Sequence, residues 1–65
     1  MRHEGWGKAQ DINKYYEQCN QRGETFMQMK KRLTHIETDM AAYGDWHLYM
    51  DTDGNYWEEF FSIGD

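Results

Sequence analysis

Residues 26–43 read FMQMKKRLTHIETDMAAY, and the periodicity assigned to this stretch decides the fold. Phe26, Met29, Leu33, Ile36, Met40 and Tyr43 fall at steps of three and four, which predicts one apolar stripe on a helix. Thr25 and Gln28 stand where a capping box would start that helix, and Gly44 stands where a left-handed glycine would end it. The rhythm continues backwards through Cys19, Tyr15 and Ile12, so a second helix is expected over residues 9–22. Gly23 is its natural stop. A single helix over 9–43 is the alternative, with Gly23 tolerated at about 1 kcal/mol; such a seam would favour a coiled-coil dimer.

Beyond Gly44 the period changes to two. Trp46, Leu48 and Met50 alternate with His47 and Tyr49, and Tyr56, Glu58 and Phe60 alternate with Trp57, Glu59 and Phe61. The intervening Asp51-Thr52-Asp53-Gly54 has the residues of a type I turn followed by a left-handed glycine. A hairpin over 46–50 and 55–61 follows, with Met50 opposite Tyr56, Tyr49 opposite Trp57 and Trp46 opposite Phe60. The expected fold is α+β: one or two N-terminal helices (9–22 and 26–43) packed on a C-terminal antiparallel β-hairpin, as one small domain over residues 1–65.

The turn also resembles the start of an EF-hand loop. Asp51, Asp53 and Asn55 match ligand positions 1, 3 and 5. The sharp-turn glycine is replaced by Tyr56 and the bidentate glutamate by Ser62, so the hairpin reading prevails. His35 with Asp39, and His47 with Glu59, form pairs only, short of the three or four ligands of a zinc site. No metal or cofactor is expected.

Catalysis has little support. Cys19 lies on the apolar stripe and reads as a structural thiol. Glu58 and Glu59 are adjacent on a strand and point to opposite faces. There is no glycine-rich phosphate loop. The single cysteine rules out an internal disulfide and fits a reducing, cytoplasmic setting. No run of about 18 apolar residues is present, so no membrane association is expected.

Charge is the most informative global feature. Residues 1–36 hold seven Lys/Arg and four Asp/Glu, whereas residues 37–65 hold eight acids and no base. Eleven aromatics and five methionines supply most of the apolar mass, and no valine or proline occurs. Acids beside large flat side chains suit a surface that competes with nucleic acid for a basic protein. The expectation is a non-enzymatic inhibitor or modulator of a nucleic-acid-handling partner, a possible nucleic-acid mimic of the kind carried by phages and mobile elements. Its partner-binding residues are expected to be Tyr49, Asp51, Asp53, Trp57, Glu58 and Glu59. Direct nucleic-acid binding is disfavoured by the net charge of −5. The alternative is a small helix-mediated homo-oligomeric regulatory protein with weak nucleic-acid contacts through Lys30, Lys31 and Arg32.

Overall fold

The computed structural model describes residues 2–63, and the fold is α+β: two helices and a four-stranded mixed sheet. In chain order the elements are β1 (Gln10–Asp11), α1 (Ile12–Gln21), α2 (Phe26–Lys31), β2 (Thr34–Ala41), β3 (Gly44–Met50) and β4 (Tyr56–Ser62). The sheet order is β1-β4-β3-β2. Strands β2, β3 and β4 form an antiparallel meander, and β1 adds two residues parallel to β4, with Gln10 beside Trp57 and Asp11 beside Glu58.

The first half of the chain is stopped as its residues dictate. Asp11 caps α1, its carboxylate accepting from the Asn13 amide at 2.9 Å. At the other end Gly23 takes φ +76°, which lets its amide reach Asn20 O and the Glu24 amide reach Cys19 O. This closing arrangement needs a residue free of a Cβ in the left-handed region. Helix α2 starts with the capping box of Thr25 and Gln28, both halves of which are formed.

The helix expected over 26–43 is corrected: α2 ends at Lys31, and residues 34–41 are a strand. Sustaining the helix would have required its stripe to be buried. Met29 alone is buried; Leu33 is half-buried, while Phe26, Ile36, Met40 and Tyr43 are exposed. The competing signal lies in Thr34, Ile36 and Thr38, β-branched residues at a period of two, which favour a pleated strand over a helix. Once the β3–β4 hairpin exists, its open edge offers those residues backbone hydrogen bonds along one side of the strand. A sheet of three antiparallel strands is then favoured over a two-stranded ribbon. The arrangement of a lone hairpin on N-terminal helices is corrected with it.

The hairpin itself follows the expected register, with Met50 opposite Tyr56, Tyr49 opposite Trp57 and Trp46 opposite Phe60. The Gly54 amide donates to Asp51 O at 3.1 Å, and Gly54 takes φ +86°.

Each sheet face has a different cover. On one, Trp57 packs with Ile12, Tyr15, Cys19 and Met29 in the buried cluster under the helices, flanked by Tyr16, Leu33 and Tyr49. The other is crossed by residues 2–9. The His3 amide donates to Glu58 Oε2 at 3.1 Å, the His3 ring stacks on Trp6 at 3.9 Å and meets Trp46 edge-on, and Ala9 is buried. Arg2 ties this segment down by donating to the carbonyls of Gly7 and Ala9. These contacts hold residues 2–9 against the sheet.

Candidate interaction surface

The six residues expected to meet a partner do not form one open face. Trp57 is 3 % exposed, its indole inside the helix-backed cluster with Tyr15 at 5.4 Å between ring centres. Asp51 is 8 % exposed and is consumed by the turn: one oxygen accepts from the amides of Asp53 and Asn55, and the other from the Trp57 indole N–H at 2.9 Å. Burial alone would raise the Asp51 pKa, but these donors, led by Trp57, hold it below the usual carboxylate value. Glu58 is 3 % exposed, under the N-terminal segment.

Tyr49 and Glu59 are half-buried on the helix side. Lys30 Nζ stands 5.4 Å above the Tyr49 ring. Burial first, and the Glu59 carboxylate second, push the Tyr49 phenol pKa up. Only Asp53 is freely exposed among the six. The reason is the packing choice: the helices cover the face carrying Trp57 and Tyr49, and aromatic size that would serve an interface serves the core instead.

The basic triplet is also dispersed. Lys30 lies over the rings of Tyr16, Phe26 and Tyr49. Arg32 pairs with Glu24 and donates to the Cys19 thiol at 3.1 Å. Lys31 alone points to solvent without such partners in the described residues. Cys19 is fully buried and accepts from both Arg22 and Arg32, so it is a structural thiol. Among the described residues no three His, Cys, Asp or Glu side chains are arranged to hold a metal ion, and no helix is long and apolar enough to cross a membrane.

What the structure leaves open is the outer edge of the sheet. Every residue from Thr34 to Met40 is exposed. Strand β2 pairs only with β3, so its other side presents unpaired backbone groups. A bulge separates His35 from Glu37. Beyond it, Glu37 to Ala41 pair regularly with Leu48 to Gly44. Glu37 and Asp39 lie on one face, about 7 Å apart by strand rise, and Met40, on the other, is 78 % exposed. Tyr43, Phe61 and Ile63 are exposed at the same end of the sheet. Each acid has one local partner: the Trp6 indole donates to Glu37 Oε2 at 3.4 Å, and His3 Nε2 meets Asp39 Oδ2. These residues fall outside the expected site because the apolar stripe predicts helix there; the Thr-x-Ile-x-Thr alternation is the signal for them.

Compared with protein families, curated proteins and solved structures, the chain gives no significant match.

Proposed function

We propose that this protein is a non-enzymatic binding module that receives an extended, basic segment of a partner protein along the free edge of β2. The observation behind this reading is that an eight-residue edge strand is exposed from Thr34 to Met40 and carries Glu37 and Asp39. No lysine or arginine follows Arg32 anywhere in the chain. Edge strands are usually blunted by charged side chains, proline, bulges or brevity. Strand β2 is eight residues long without proline or lysine, and its blunting devices are one bulge and the acids Glu37 and Asp39, which repel acidic strands and leave basic ones favoured. An added strand would gain main-chain hydrogen bonds, and its alternate side chains would meet Glu37 and Asp39.

The choice of a basic partner over a second copy comes from register. Antiparallel self-pairing of β2 keeps each face continuous, so residues opposite one another must share a face. Centring on Thr38 places Glu37 opposite Asp39 of the other copy. Centring on Asp39 or Glu37 sets like residues directly opposite. Like charges in such positions are destabilising, whereas lysine or arginine there is favourable. The apolar seam expected to carry helical self-association is divided between α2 and β2, which favours the edge-strand reading.

Proteins that handle nucleic acid present basic segments built for phosphate, and occupation of one would inhibit it. The mimicry thus rests on Glu37, Asp39 and Asp53, and no longer on Tyr49 and Trp57. Steering by these charges makes association faster at low salt.

The test uses two synthetic nine-residue peptides, one alternating lysine with threonine and the other glutamate with threonine, followed by amide NMR. The lysine peptide is expected to shift the amides of residues 34–41, more strongly at low salt, and Glu37→Lys with Asp39→Lys to abolish the effect. Equal response to both peptides, or shifts confined to α1 and α2, would refute the reading.

A further inference from the structure

His35 on β2 and His47 on β3 come together in a way that the hairpin alone does not require. In register His35 faces Tyr49, and His47 faces Thr38. The bulge after His35 shifts the strand, and His35 Nε2 stands 3.2 Å from His47 Nδ1. The Thr38 hydroxyl completes the group, 2.9 Å from His35 Nε2 and 3.2 Å from His47 Nδ1. Three donor atoms thus form a nearly equilateral triangle on the surface beside the β2 edge.

We infer that His35, His47 and Thr38 form a binding site for a divalent transition-metal ion of the zinc type. Ligands at the usual zinc–nitrogen distance in a tetrahedral site are separated by about 3.3 Å, calculated from bonds of about 2.05 Å. The triangle edges of 2.9 to 3.2 Å are close to that value. The two imidazoles are the anchoring ligands, with the hydroxyl on the third corner and water on the outer, open position.

Two surroundings support the assignment. The rings are held in place: Tyr49 meets His35 edge-on at 5.4 Å, and His47 lies between Tyr49 at 6.3 Å and Phe61 edge-on at 5.4 Å. The field is also anionic. Asp45 lies two residues before His47 on the same face, and Glu59 is its cross-strand neighbour on β4. Each has a buried oxygen, Asp45 Oδ1 and Glu59 Oε1, with no hydrogen-bond partner among the described residues. An unmet carboxylate oxygen away from water is costly, and a dication on the neighbouring histidines offsets that cost by charge.

The experiment adds zinc chloride alone to the full chain and follows the ring nitrogens of all three histidines by NMR, with calorimetry for stoichiometry. One ion per chain is expected, with His35 Nε2 and His47 Nδ1 shifted and the His3 ring unchanged. His35→Gln and His47→Gln should each weaken binding at least tenfold, while His3→Gln should not. Ring nitrogens of His35 and His47 that ignore millimolar zinc would overturn the site and leave only a hydrogen-bonded histidine pair. Undiminished binding in either glutamine variant would overturn it as well. The ring signals of the unaltered chain decide the matter even if a variant fails to fold.

Discussion

The β3–β4 ladder carries large apolar side chains at both ends, yet the two ends differ completely in what covers them. At the turn end, Trp57 and its neighbours Ile12, Tyr15, Cys19 and Met29 are all buried. At the other end, Met40, Tyr43, Phe61 and Ile63 are mostly exposed. Length explains the difference. Helix α1 has ten residues and α2 six, giving about 15 and 9 Å at 1.5 Å per residue. Strands of seven residues run about 23 Å. The helices cannot reach the far end, and the N-terminal segment lies on the opposite face. The chain therefore has a single helix-backed core and leaves the far end of that face as surface, whereas on the opposite face Trp46 is buried beside the N-terminal segment.

The largest effect should come from removing the centre of the covered end. Trp57→Ala deletes a side chain that touches the helix cluster and strands the Asp51 oxygen that its indole serves. A loss of about 3–5 kcal/mol is expected for such a truncation. In a domain of this size that is comparable to the whole stability, so urea unfolding should find the variant largely unfolded in buffer. A cooperative transition within about 1 kcal/mol of the parent would break the contrast between the ends.

Asp51→Ala comes next. It leaves the buried Trp57 indole N–H unpaired and frees the turn amides of Asp53 and Asn55, for about 1–3 kcal/mol. The same residue gives a pH dependence. Its folded-state pKa is depressed, despite burial, by the hydrogen bonds from Trp57, Asn55 and Asp53. The unfolded chain therefore takes up the proton first as pH falls. The contribution is fully present above the ordinary carboxylate value of about 3.9 and is lost as pH descends through the lower folded value. Urea midpoints between pH 6 and pH 3 should fall for the parent more steeply than for Asp51→Asn, and parallel curves would refute this.

Gly44 qualifies the comparison, because the open end is loose in its side chains but tight in its backbone. A Cβ at this position would lie 2.4 Å from the Phe60 ring and 2.5 Å from the Phe61 carbonyl. Gly44→Ala should cost about 1–3 kcal/mol by overpacking. A thermal melt unchanged from the parent would show that β3 and β4 can separate there freely.

Legibility in the sequence followed the same division. The hairpin was readable down to its register, because alternation and turn residues both act locally: Asp51 and Gly54 fix the turn, and the turn fixes which residues face each other. The caps at Thr25, Gln28 and Gly23 were readable for the same reason. Residues 34–41 were misread because Ile36 and Met40 satisfy both a helical stripe and a strand alternation. The deciding term is pairing with β3, a partner distant in the chain. Burial of Trp57 and Asp51 was hidden for a related reason. A two-faced hairpin does not declare which face the helices will take, and the role of residues 2–9 as the cover for the other face leaves no periodic trace in eight residues of mixed character. The acidic charge was legible in amount, but its useful share depended on which carboxylates the core and turns absorbed.

The smallest effects should come from the open end. Met40→Thr and Phe61→Thr replace side chains that are 78 % and 51 % exposed, keep β-forming residues on their strands, and remove little buried area. Each should stay within about 0.5 kcal/mol of the parent in urea. Their value lies in separating two roles that the ends could share. If the open end is a surface that meets a partner, Met40→Thr should weaken binding of the lysine-threonine peptide at β2 several-fold while stability is unchanged. Phe61→Thr, two strands away from that edge, should affect it less. A loss above 1.5 kcal/mol in either variant would mean that these side chains are packed in solution, and the open end would then be a second core, with the sheet covered on both sides along its whole length.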